Sequence, residues 1–189
     1  MYRQSNPQFR EGFPRPSAGA RGAFTFTEVL VVVVLLGITS ALVLPQVTAN
    51  DDLNVSAAAR AVMADLLYAQ NRAIAMQTMH YIAFDPVNQQ YTLYGSMSPQ
   101  QVLTHPVHQN NYVMTFGSVG INNISQTVSL TSASFNGQTT LAFDETGVPY
   151  SYTGGVATPI TGTGTIVLTS GSCSLTISVA QDTGEITVN

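Results

Sequence analysis

The sequence has no lysine, no tryptophan and a single cysteine, and only 8% of its 189 residues are charged. A globular chain averages about 25%. Without lysine there is no Walker-type phosphate loop. One cysteine, Cys173, rules out an intrachain disulfide and any CxxC metal or redox motif; in the alternating stretch SCSLTISV it reads as a strand thiol facing a core. HExxH and GxSxG are also missing, so no enzyme class is indicated. Phosphate neutralisation needs clustered cations. Beyond residue 23 two arginines, Arg60 and Arg72, stand against nine carboxylates, which argues against nucleic acid as a partner.

The remaining arginines, Arg3, Arg10, Arg15 and Arg21, all precede the apolar run FTFTEVLVVVVLLGITSALVLP. From Phe24 to Leu44 a helix extends about 31 Å at 1.5 Å per residue, matching a hydrocarbon core of about 30 Å. The positive-inside rule then leaves residues 1–23 in the cytoplasm and the residues beyond 45 outside. A conventional signal peptide, cut after the small residues Val47-Thr48-Ala49, and an uncut signal anchor both fit this pattern. Neither accounts for Glu28, because a carboxylate inside a membrane is kept only for a partner.

The stretch GAFTFTEVLVVVVLLGITSALVLP resembles the class III signal of type IV pilins and type II secretion pseudopilins. The resemblance implies that prepilin peptidase cuts between Ala23 and Phe24 and that Phe24 becomes the N-methylated N-terminus. Glu28 is then fifth in the mature chain, and Pro45 falls where the family carries a helix-kinking proline. That family prefers glycine immediately before the cut; here Ala23 takes the place and Gly22 stands one position earlier. The resemblance further implies that the Phe24 ammonium meets Glu28 of a neighbouring subunit within an apolar filament core. Breaking such a buried pair leaves an uncompensated charge, at a cost on the order of 3–5 kcal/mol.

Beyond Pro45, Val55, Ala58, Val62, Leu66, Ala69, Ala73 and Met76 recur at helical spacing and predict an amphipathic helix packed on a sheet. Asn50, Asp51 and Asp52 suit its first turn, where N–H groups lack partners. Arg60, Asp65 and Arg72 lie off the stripe and read as a solvated face. Period-two alternation begins near Met79, and MHYIAF and QYTLYG flank DPVNQ, so residues 79–95 predict a hairpin. Residues 96–125 predict a polar excursion with one strand around Tyr112–Phe116. Further strands are expected in TVSLTSASF, TTLAFDETG, GTIVLTS and CSLTISVAQDTGEITVN.

The turns DETG and DTGE each place glycine after threonine for a positive φ. Their carboxylates raise calcium as a ligand, but two acids per turn are too few, and plain hairpin turns are expected. His105 and His108 in HPVH lack a third ligand and are expected in an exposed loop, with no metal. His80, at the junction of helix and strand, reads as a structural histidine.

One long helix followed by antiparallel strands is similar to the pilin fold. The expected class is therefore α+β, with a long N-terminal transmembrane and stalk helix packed on a C-terminal antiparallel β-sheet domain. Residues 1–23 would be a removed cytoplasmic leader, 24–45 the transmembrane half-helix, 46–79 the amphipathic stalk and 80–189 a periplasmic β domain. The stretches SAAARAVMADLLYAQNRAIAMQTMHYIAFDPVNQQYTLYG and LAFDETGVPY resemble GspH/FimT-like minor pseudopilins. The resemblance implies a structural subunit of a type II secretion pseudopilus or type IV pilus, without cofactor or metal. It would sit singly across the bacterial inner membrane, with prepilin peptidase, inner-membrane lipid and other pilins or pseudopilins as partners. A DNA-binding competence pilin and a secreted β-rich protein are the alternatives.

Overall fold

The computed structural model describes residues 24–47 and 50–189, the side chains of 41–47 excepted. The chain divides into two compact units, one ending at Leu44 and the other running Pro45–Asn189. In the first, α1 (Phe26–Val47) starts from Thr25, whose carbonyl and Oγ1 accept the Glu28 N–H at 3.1 and 3.2 Å. Among the described residues no helix is long and apolar enough to cross a membrane. The span expected over 24–45 includes residues 41–45, whose side chains lie outside the described set.

In the second unit, α2 (Asp51–Met76) begins where the acidic first turn predicts. Asn50 makes no side-chain cap, so Asp51 and Asp52 complement the helix end through charge rather than through an Asn50 amide bond. Asp51 Oδ1 also accepts the Ser170 hydroxyl at 3.1 Å. Val55, Ala58, Val62, Leu66, Ala69 and Ala73 are buried as expected, and Ala59 joins them. Met76 is not part of that face, being 57% exposed. The helix ends there because Gln77 turns left-handed (φ 51°) and its N–H caps the Ala73 carbonyl. That stops α2 three residues short of position 79.

The expected hairpin is formed by β1 (His80–Asp85) and β2 (Gln90–Met97), paired from Tyr81↔Tyr94 to Asp85↔Gln90. Asp85 Oδ1 closes its turn by accepting the Val87 and Asn88 N–H groups at 3.1 and 3.0 Å. The stretch 96–125 holds three strands rather than one: β3 (Gln100–Val102), β4 (Val113–Phe116) and β5 (Asn123–Ser125). The chain continues through β6 (Ser129–Ser134), β7 (Thr140–Phe143), β8 (Pro149–Thr153), β9 (Val156–Pro159), β10 (Gly164–Ser170), β11 (Cys173–Val179) and β12 (Ile186–Val188).

These strands make two sheets, where a single antiparallel one was expected. One runs β5-β4-β2-β1-β7-β8-β9 with β3 beside β2; the other runs β12-β11-β10-β6. The β4–β5 pair is parallel, so the first sheet is mixed. The alternation of β1 and β10 sends Ile82 and Phe84, and Ile166 and Leu168, inward. The amphipathic face of α2 packs on β1, β5 and β7 of one sheet and β10, β11 and β12 of the other, so one core serves all three layers.

Candidate functional site

The N-terminal unit offers a helix that is apolar on every side. From Val29 to Ile38 its large side chains are between 48% and 61% exposed, with no face covered. A helix apolar all round belongs to a buried environment. The hydroxyl of Thr39 is returned to its own helix, donating to the Leu35 and Leu36 carbonyls at 3.0 and 3.1 Å, which suits a surrounding without water. Phe24 is 80% exposed at the helix start, and Glu28 is exposed one turn in. Ala23, on the other side of the expected cleavage, lies outside the described residues, as does the side chain of Pro45, whose backbone stands within α1.

In the globular unit the two similar turns meet. Gln70 of α2 donates from Nε2 to the Gly147 carbonyl at 2.9 Å and the Gly184 carbonyl at 3.3 Å, tying the β7–β8 turn to the β11–β12 turn. Asp144 Oδ1 is engaged within its own turn by the Thr146 hydroxyl and the Thr146 and Val148 N–H groups at 2.7, 2.9 and 2.9 Å. Partial burial opposes ionisation of this carboxyl, but those donors prevail and hold it below its ordinary range. Gly184 has φ +64°, and a Cβ there would lie 2.6 Å from the Gly147 carbonyl oxygen. Gly184→Ala is therefore expected to cost about 2 kcal/mol in urea unfolding. Gly154→Ala, with positive φ (+56°) but open space around it, should cost clearly less. Equal losses would mean that the close approach of the turns is unimportant.

Asp65 departs from expectation. It belongs to no solvated face: Tyr91 of β2 donates its hydroxyl to Oδ2 at 2.5 Å, and Tyr112, just before β4, donates to Oδ1 at 3.0 Å. Burial pushes the Asp65 carboxyl up despite these donors. Burial and the adjacent carboxylate raise both phenols. Arg72 is half-buried rather than solvated, with Nη1 donating to the Tyr68 hydroxyl at 3.3 Å, whereas Arg60 is exposed as expected.

His105 is likewise not in an exposed loop. The loop closes through the His105 N–H on the Asn110 carbonyl at 2.8 Å, folding the ring against Tyr112 (centroids 4.4 Å) and stacking it on His108 (4.5 Å). Its Nδ1 accepts the Val107 and His108 N–H groups at 3.1 and 3.2 Å. Burial, then the neighbouring His108, lowers its pKa. Among the described residues no three His, Cys, Asp or Glu side chains gather as a metal group. His80 is buried with Nδ1 2.9 Å from the Thr78 carbonyl, and burial lowers its pKa as well. Cys173 is free and half-buried on β11, packed against the core.

Comparison with solved structures finds a similar fold. Against the minor pseudopilin EpsH of the Vibrio cholerae type 2 secretion system the TM-score is 0.50 at 11% identity, covering 72% of this chain and 96% of that one. The chain has the pilin fold. The type IV minor pilin FimU of Pseudomonas aeruginosa PAO1 also matches in two crystal forms, at 18% and 17% identity and TM-scores of 0.42 and 0.44. These cover 71% of this chain and 87% and 91% of those. No family model matches the sequence, and no curated protein matches it either. Within the pilin fold, the signal that α2 and its sheets form one body is the apolar stripe of α2. Nothing in local sequence marks Asp65 as the acceptor of two tyrosines.

Proposed function

We propose that this chain is a minor pseudopilin, a structural subunit of a type II secretion pseudopilus, with the minor pilin of a type IV pilus as the alternative machinery. The observation that carries the reading is α1: large apolar side chains exposed on every side, with one carboxylate, Glu28, in the first turn. Such a helix needs a surrounding of lipid or of other helices. In the proposed cycle residues 24–45 first lie in the inner membrane, residues 1–23 face the cytoplasm, and the β domain stands in the periplasm. Prepilin peptidase cuts between Ala23 and Phe24, Phe24 is N-methylated, and Pro45 bends the helix out of the bilayer. The subunit then moves from lipid into the filament.

Transfer is favoured because helix packing replaces lipid contact at small cost while the Phe24 ammonium gains the Glu28 carboxylate of its neighbour. The work is mechanical and needs no cofactor. Co-expression of the full chain with a pseudopilus apparatus, followed by immunogold labelling of sheared filaments, tests this directly. Labelled filaments are expected; filaments that never carry a correctly processed chain contradict it.

A further inference from the structure

The sheet edges at β6, β9, β5 and β12 are treated differently. At β6 a side chain occupies the edge at Leu130: Gln89 donates from Nε2 to the Leu130 carbonyl and accepts the Leu130 N–H at Oε1, both at 2.9 Å. At β9 the strand ends in Pro159, which has no N–H to offer. At β5 the strand is three residues long and its pairing to β4 is broken by a register shift.

The strand β12 is equally short, but its register with β11 runs without a shift and it contains no proline. Thr176 and Asn189 exchange both backbone hydrogen bonds at 2.9 Å, and the Ala180 N–H reaches the Glu185 carbonyl at 2.9 Å. Between these, the register Ile177↔Val188, Ser178↔Thr187, Val179↔Ile186 makes Thr187 the bonded residue. Antiparallel pairs alternate between bonded and non-bonded positions. The N–H and C=O groups of Ile186 and Val188 therefore point away from β11, toward the side where the sheet ends.

Beside this edge lies a groove of about 400 Å³ walled by Ala59, Met63, Leu175 and Val188, with Ser56 and Arg60 of α2 at its polar margin. Arg60 is exposed, and it is one of two cations on residues 50–189, which carry eight carboxylates. We propose that β12 is a docking edge for an extended segment of a partner protein. That segment adds to the sheet through the backbone of Ile186 and Val188, places an apolar side chain in the groove and sets a carboxylate against Arg60. Strand addition draws affinity from main-chain bonds and specificity from alternate side chains. The acid must be single, because a strongly acidic segment would be repelled by the eight carboxylates. The edge and groove belong to the globular unit alone, so the proposal stands apart from the reading of the N-terminal helix.

The test uses the full chain and a synthetic peptide, acetylated and amidated, that alternates threonine and valine and carries one glutamate two places from a valine. A second peptide has lysine in place of glutamate. The glutamate peptide is expected to bind and to slow hydrogen exchange at the Ile186 and Val188 amides. The lysine peptide should bind about five-fold more weakly, the upper range for an exposed ion pair, and Arg60→Glu should reverse the order of the two. Equal affinities, or binding that leaves those two amides unchanged, would overturn the proposal. Exchange that is already slow in the free chain and quickens on dilution would place a second copy on the edge, and would overturn it as well.

Discussion

Replacing Asp65 with leucine is expected to cost about 3 kcal/mol of folding stability, because the hydroxyls of Tyr91 and Tyr112 lose their acceptor and Tyr91 is only 1% exposed. The loss is one of unmatched polarity rather than of charge, so Asp65→Asn, which keeps one acceptor oxygen, should cost much less. The triple change Asp65→Leu, Tyr91→Phe, Tyr112→Phe, which removes every member of the cluster, should recover most of the deficit. Urea unfolding of the three variants separates these outcomes. A triple variant no better than the single one would mean that the cluster contributes shape, not hydrogen bonding.

The same carboxyl sets a pH dependence of unusual sign for an acid. Burial raises the Asp65 pKa above the ordinary 3.8, so the folded protein holds this proton more tightly than the unfolded chain does. The resulting stability is fully present below 3.8 and is lost as pH rises through the folded value. Asp144, held below 3.8, contributes in the opposite sense: its stability is present above 3.8 and is lost as pH falls through its folded value. Subtracting the pH profile of Asp65→Asn from that of the native chain should leave a stability difference that declines with rising pH above 3.8.

For Glu28→Ala, membrane insertion and processing are expected to proceed while incorporation into filaments falls to background. On the proposed function the arginines and the apolar run would direct insertion, and both are untouched. The Phe24 ammonium, however, would enter the filament core without a counter-charge, at a cost on the order of 3–5 kcal/mol. Membrane fractions and sheared filaments of the same culture report the two steps separately. Full incorporation of Glu28→Ala would remove the carboxylate from the assembly mechanism, whereas loss of the chain from the membrane would assign it to insertion.

Local periodicity carried much of the fold. The stripe from Val55 to Ala73 announces α2, the switch to period two announces β1 and β2, and threonine-glycine pairs announce the turns that Gln70 joins. What escaped is what depends on distance along the chain. Tyr91 and Tyr112 reach Asp65 across 26 and 47 positions, so an acid off the apolar stripe looks solvated until the sheet is folded over it. His105 looks exposed because HPVH is polar, yet backbone closure of its own loop turns the ring inward. The short polar strands β3 and β5 have no alternation to detect, and the division into two sheets is decided by pairing between distant strands. At the N-terminal site the informative feature is local: one carboxylate four residues after Phe24 in an otherwise apolar helix.

Processing and assembly are tested most directly by the N-terminal residue of the native protein, read by intact mass and terminal sequencing after expression beside a prepilin peptidase. A chain that begins with N-methylated Phe24 is expected. A mature chain beginning at Asn50, or at any residue other than Phe24, would contradict it.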